Sequence, residues 1–346
     1  MRARTAGRAR GEVVRAARLT LSTVVIAVLV ATVARLADGE PAARAAPSVA
    51  STPGAASAPA TAAPATAAPT PTERQEASRR PATELPRGGR TLFPTYRLVG
   101  FSGGPGSAAF GRLGVGRMAD RVAEMERLGT RYARGRRPMP VLELVTVVAQ
   151  PRPGRDGLYR VRVDDAVIAR YLAAARSARG LLLLDVQPGR ARFVDEVRAL
   201  DRWLREPDVG VALDPEWSVR GRGVPGEVLG STTGAEVDAV SRYLDGVVRQ
   251  GRLPQKVLVV HQLTPSVLTG AERLRERPGV AVVRSVDGIG SPAAKTATWR
   301  QVSSGPPSWV HGGFKLFFAE DARHGPLMTP TQVLALRPEP DYVLYE

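Results

Sequence analysis

At 346 residues the chain is long enough for one large domain or two ordinary ones, and its 43% hydrophobic content supports a substantial core. The formal charge of +16 resembles a nucleic-acid signature, but nearly all the basic residues are Arg, scattered among Asp and Glu, and the only lysines are Lys256, Lys295 and Lys315. Without a basic stripe, and with only 5% aromatic residues to stack on bases, the composition argues against nucleic acid as a partner. The absence of cysteine excludes disulfides, thiolate nucleophiles and Cys-ligated zinc.

In chain order, Arg2, Arg4, Arg8, Arg10, Arg15 and Arg18 precede an apolar run from Leu19 to Ala34. A basic flank before a short apolar stretch reads as a signal peptide or signal anchor occupying residues 1–40, with the rest of the chain outside the cytoplasm. Ala43-Arg44-Ala45 resembles a small-x-small cleavage site, so a secreted form and a membrane-anchored form both stay open. Residues 41–90 are Ala-, Pro-, Thr- and Ser-rich and bury too little apolar area to offset ordering entropy, which predicts a disordered, extended linker.

From residue 91 to 346, short aliphatic runs alternate with helical patterns. Strands are predicted at Arg97–Ser102, Val141–Ala149, Leu181–Val186, Val209–Leu213, Lys256–Gln262, Val280–Val286, Phe314–Ala319 and Tyr342–Tyr345. Helices are predicted over Arg117–Leu128, Asp165–Ala178, Arg192–Arg205, Ala235–Gln250, Pro265–Arg275, Ala294–Val302 and Pro330–Leu336. Near-continuous apolar strands suit a parallel sheet covered by helices. Eight such units predict an α/β fold of the (β/α)8 TIM-barrel type, with a doubly wound open sheet as the competitor.

In a barrel the active face lies where strands end and the following loops begin. The third strand ends in Asp185 and Gln187, the fourth in Asp214-Pro215-Glu216-Trp217, the fifth in His261, the sixth in Asp287, and the seventh in Glu320-Asp321. Residues two apart share a strand face, so Asp185 belongs with Gln187 and Asp214 with Glu216. Two carboxylates across a barrel mouth suit glycoside hydrolysis, one protonating the leaving oxygen while the other attacks or activates water. Glu216 and Glu320 resemble the acid/base after strand 4 and the nucleophile after strand 7 of retaining barrel glycosidases. The Asp-x-Glu ending also resembles that of chitinase-like barrels. The chain departs from both, with Asp-Pro-Glu where the first group has Asn-Glu, and without the upstream aspartates of the second. The segments LLLLDVQPG, ALDPEW and FKLFFAED resemble those of a secreted actinobacterial family, which implies no activity.

This resemblance implies an exported, glycoside-hydrolase-like barrel acting on a cell-wall or other extracellular carbohydrate. Glu216 and Glu320 would be catalytic, with Asp185, Gln187, Asp214, Trp217, His261, Asp287 and Asp321 binding substrate. Trp217 would stack on a sugar ring. The plainer alternative for each acid is a loop-stabilising pair with one of the many Arg residues; for His261 it is a hydrogen-bonded core position, and for Lys315 an outward salt bridge. A non-catalytic barrel binding wall polymer or a protein partner is the first functional alternative.

The second alternative is a serine hydrolase. Gly100-Phe101-Ser102-Gly103-Gly104 satisfies the nucleophile-elbow pattern with Ser102 as nucleophile, although only linker precedes it where oxyanion-hole strands should lie. Gly104-Pro105-Gly106-Ser107-Ala108-Ala109 matches a loose dinucleotide fingerprint but lacks the later acidic residue. The same loop suits a lid over the mouth. His261, His311 and His324 show no metal-ligand spacing, so no metal or other cofactor is implied, although a metal bound by carboxylates between strands stays open.

Overall fold

The structure, a computed structural model, describes residues 83–346 apart from Arg222. The expected signal or anchor segment and most of the expected linker lie outside the described residues. Among the described residues no helix is long and apolar enough to cross a membrane.

Eight parallel strands close into a barrel: β1 (Tyr96–Gly103), β2 (Arg137–Ala149), β3 (Leu181–Val186), β4 (Val209–Leu213), β5 (Lys256–Gln262), β6 (Val280–Val286), β7 (His311–Leu316) and β8 (Tyr342–Tyr345). Each pairs with its chain neighbour, and β1 pairs with both β2 and β8, which completes the closed order. The covering helices are α1 (Met118–Thr130), α2 (Asp165–Ser177), α3 (Phe193–Ala199), α4 (Asp201–Leu204), α5 (Gly234–Gly251), α6 (Pro292–Ser303) and α7 (Pro330–Leu334). The fold is therefore the expected (β/α)8 type, not an open sheet.

Side-chain alternation divides the apolar residues into two layers. Outward-facing Leu182, Leu184, Val211, Leu258 and Val260 pack beneath the helices with Val240, Leu244 and Trp299. Inward-facing Leu98, Met139, Val141, Leu183, Val259 and Leu344 fill the lower half of the barrel. Leu85 and Leu92 join this inner layer and are fully buried. Arg87 fastens the same segment by donating to the carbonyls of Pro138 and Ala178. Residues 83–90 thus belong to the barrel, whereas their composition assigns them to the linker.

Two other expectations are corrected. Pro265–Arg275 is not an α-helix but two short 3-10 turns around the strand Leu268–Thr269, which pairs with Thr232–Thr233. Gly270 between the turns adopts φ +63°, a left-handed conformation that interrupts a right-handed helix. The seventh strand lies three residues earlier than Phe314–Ala319, because the apolar run hides where the ladder stops. After Leu316 the Phe317 amide turns to Asp321, and only the Phe318 amide still meets β8's continuation, donating to the Glu346 carbonyl. The ladder extends backward instead over Gly312 and Gly313. A Cβ on Gly312 would lie 2.6 Å from Trp299, and one on Gly313 would lie 3.0 Å from Ser285 and Tyr342.

The inward row of β1 narrows at Gly100, where a Cβ would lie 1.9 Å from the Val141 carbonyl oxygen on β2. Backbone on both sides leaves no flexible group to yield. Gly100→Ala is therefore expected to destabilise the barrel by about 3 kcal/mol, the upper range for overpacking a core. Chemical denaturation of the two proteins measures the difference.

Candidate functional site

The upper half of the barrel interior is polar where the lower half is apolar. Continuing the inward rows upward leads from Leu98 to Ser102, from Val141 to Glu143, from Leu183 to Asp185, from Ala212 to Asp214 and from Val259 to His261. On β7 and β8 the same parity brings in Lys315 and Tyr342, with Glu346 just beyond. All of these residues except the partly covered Glu346 are buried.

The deepest polar layer is an ion pair. His261 Nε2 lies 3.2 Å from Glu143 Oε1, and His261 Nδ1 lies 3.4 Å from Asp287 Oδ2. Neither ring nitrogen has hydrogen-bonding geometry, so these contacts are ionic. The Tyr342 hydroxyl donates to Glu143 Oε2 at 2.7 Å. Burial alone would lower the His261 pKa, but the charge of Glu143 and the proximity of Asp287 outweigh it and hold the imidazole well above its usual value. Burial likewise opposes ionisation of Glu143, and the charge of His261 overcomes it to keep that carboxyl below its ordinary range.

A second pair lies nearer the mouth. Lys315 Nζ is 2.7 Å from Glu346 Oε2, and the Ser102 hydroxyl donates to the same oxygen at 3.0 Å. Lys315 therefore faces inward, which corrects the expected outward salt bridge. Burial opposes its charge, but Glu346, Asp287 and Asp214 raise its pKa well above the usual lysine value. Among the described residues Ser102 has no histidine partner, and His261 is engaged elsewhere. The Ser102 nucleophile arrangement is thus absent.

Above these pairs, Asp185, Gln187, Asp214, Glu216 and Asp287 line a cavity of about 50 Å³ with Trp217 and Phe317, roofed by Ala109 and Phe110. That volume holds about three or four waters. Local sequence explains why the acids converge. Pro215 ends the β4 ladder and begins a 3-10 turn through Trp217, which folds Glu216 back toward Asp214. A bulge on β2 at Thr146 re-aims that strand, and the Thr146 hydroxyl donates to the Asp185 carbonyl at 2.8 Å. Gln187 donates to Asp214 Oδ2 at 3.1 Å and accepts from the Ala149 amide.

Four acids crowd this cavity, and the one cation in its lining, Lys315, is paired with Glu346. One oxygen each from Asp214, Glu216 and Asp287 lies within 4.8 Å of the other two. Asp185 Oδ1, Glu216 Oε2 and Asp287 Oδ1 are buried with no hydrogen-bond partner. Burial, then the charges of Asp214 and Asp287, push the Glu216 carboxyl well above the usual range. Burial, then Asp214 and Glu143, do the same to Asp185. Asp214 is raised by burial although His261 and Lys315 pull against it. A carboxyl whose pKa is raised is better suited to donate a proton.

The expected site residues thus divide. Asp185, Gln187, Asp214, Glu216, Trp217 and Asp287 come together, and His261 lies directly beneath them. Glu320 does not reach the cavity, because β7 stops at Leu316 and Glu320 sits half-buried beyond it at the start of a 3-10 turn. Asp321 is a loop fastener: its carboxylate accepts from the amides of Gly290 and Phe317 and lies 3.0 Å from Lys295 Nζ. The residues missed from sequence are Glu143, Tyr342 and Glu346, and Lys315 was read as outward. Their available signal was a single polar or ionisable residue at inward parity within an apolar strand, as in VLELV and GFKLF. Two larger grooves, of about 560 and 400 Å³, open on the outer surface beside α5, where Arg220–Glu236 and Arg242–Asp238 are already paired.

No protein-family model matches the chain, and no curated protein does so at a significant level.

Asp185 gives a test of the electrostatics. Its folded-state pKa lies above the unfolded value of about 3.9, so the buried carboxyl carries no ionisation penalty below about pH 4. Stability is then lost as pH rises toward the folded-state pKa. Asp185→Asn is expected to stabilise the protein by about 1–3 kcal/mol at pH 8, the scale for an unsatisfied buried polar group. The gain should shrink towards pH 4. Denaturant unfolding in metal-free buffer across this range measures it.

Proposed function

We propose that the barrel is an extracytoplasmic, glycoside-hydrolase-like protein acting on a cell-wall or extracellular carbohydrate. The observation that carries this reading is Glu216. It stands at the C-terminal mouth of the barrel, lining the cavity among other acids, and burial and those acids raise its carboxyl well above the usual range. Glu216 serves as the proton donor to the leaving oxygen. Its partner comes from within the cavity, and Asp287 is the best placed, since it reaches in from β6 and faces the imidazole of His261. Asp185, Gln187 and Asp214 orient substrate hydroxyls, and Trp217 supplies an apolar face. The basic-flanked apolar run and the linker support export, with the membrane as a partner if the segment is retained.

One observation favours a second reading. A cavity of about 50 Å³ is smaller than a sugar ring, so substrate requires the roof at Ala109 and Phe110 to lift. A barrel whose roof stays closed would bind wall polymer or a protein partner on its outer rim without turnover.

Release of reducing ends from wall-glycan preparations and from nitrophenyl glycosides tests both readings. Glu216→Gln is expected to lower turnover by about 10²–10⁴-fold while leaving glycan binding in place. Equal turnover by wild type and Glu216→Gln on every glycan cleaved would sink the assignment. Binding without turnover in both proteins would establish the second reading.

A further inference from the structure

We propose that Asp214, Glu216 and Asp287 form a binding site for one hard divalent cation of the Ca²⁺, Mg²⁺ and Mn²⁺ class. The geometry comes first. One oxygen from each carboxylate lies within 4.8 Å of the other two. Oxygens bound to Ca²⁺ at about 2.3–2.6 Å stand no more than about 5 Å apart across the ion, so a single cation can touch all three.

A separate observation points to a ligand rather than to mere crowding. Asp185 lies outside this trio and is 4% exposed, yet its Oδ1 faces the same cavity with no donor. The Oδ1 of Asp287, itself 6% exposed, is likewise unpartnered. The positive side chains nearby are committed, Lys315 to Glu346 at 2.7 Å and His261 to Glu143 at 3.2 Å. No arginine lines the cavity. Its volume of about 50 Å³ suits an ion with a few waters. An all-oxygen donor set selects hard cations over zinc or copper. The donors are carboxylates that follow two different strands, the one kind of metal site the sequence left open.

This site goes beyond the glycan reading and does not rest on it. A Glu216 carboxylate bound to a cation has no proton to give, so cation binding and proton donation exclude one another. The ion would act as a reversible inhibitor of the proposed hydrolase.

Titration of the full chain, stripped of metal with a chelator, tests the proposal by counting free Mn²⁺ with electron paramagnetic resonance. The expected result is one Mn²⁺ per chain, bound with a Kd at or below about 1 mM and displaced by Ca²⁺. Asp287→Asn and Glu216→Gln should each weaken binding by at least about tenfold, as expected when a charged ligand is removed. Glu320→Gln, outside the cavity, should leave it unchanged. Circular dichroism establishes that each variant is folded. No saturable Mn²⁺ binding by wild type would overturn the site, as would unchanged affinity in a folded Asp287→Asn or Glu216→Gln. Failure of either kind leaves the hydrolase reading standing, and absence of glycan cleavage leaves the cation site standing.

Discussion

The upper half of this barrel depends on one buried ion pair, Glu143 with His261. Both side chains are shielded from water, and a charge in that position must be neutralised where it stands. The pair joins β2 to β5 across the interior, Tyr342 adds β8 through its bond to Glu143, and Asp287 adds the end of β6. Four segments of the closed sheet therefore meet at one imidazole. A one-residue slip in any of these strands would turn its polar group outward beneath the helices. The ion pair thus acts as a register device as well as a charge balance, and the groups above it inherit their positions from it.

The same balance marks the layer above as a site. Glu196 is met by Arg160 and Arg162, both at 2.8 Å, and Asp321 by Lys295 and two backbone amides. In those places each buried acid has partners that justify its burial, and the product is a fastened loop. Asp185, Glu216 and Asp287 each keep a buried oxygen with no donor, and Asp214 has only the Gln187 amide. Replacing acids of this kind by apolar residues is commonly neutral or stabilising. Their joint presence around one cavity contributes nothing to folding that a simpler core would not supply better. Local rules broken together in this way point to chemistry or binding.

The barrel was largely legible in the sequence because its strands are short, aliphatic and regularly spaced. LLLLDV and KVLVVHQ mark their own boundaries, with Gly180 before the first and Pro254 shortly before the second. The strand-end acids Asp185, Asp214, Glu216 and Asp287 were legible for the same reason, since period-two alternation fixes which residues look inward. Glu320 was misplaced because FKLFFAED carries apolar residues past the last rung of its strand, and hydrophobicity alone cannot show where a ladder stops. Glu143 was passed over, and Lys315 was read as an outward salt bridge, because a charge inside an apolar strand reads as an outward residue until its partner is known. Their partners, His261 and Glu346, lie 118 and 31 positions away and come close only once the barrel closes.

The glycine-rich loop after β1 determines what can reach the acids. Within it Gly104 packs against Phe110, and Gly111 sits so close to Ser102 and Glu346 that a Cβ would fall within 2.9 Å of both. Gly114 abuts the Ser107 carbonyl still more tightly. The stretch between is therefore a packed unit that lowers Ala109 and Phe110 onto the cavity. Gly106, inside this stretch, and Gly116, just past it, both adopt left-handed φ angles, +69° and +73°, and nothing lies within 4 Å of where their side chains would begin. Hinged loops over active sites bend at unencumbered positions of this kind. Because its underside rests on Ser102 and Glu346, which are tied to Lys315, the roof seats on the polar layer itself. A small ion can lie beneath this roof in its closed position, whereas a saccharide requires it raised, so the two ligands proposed for the cavity call for different states of the same loop.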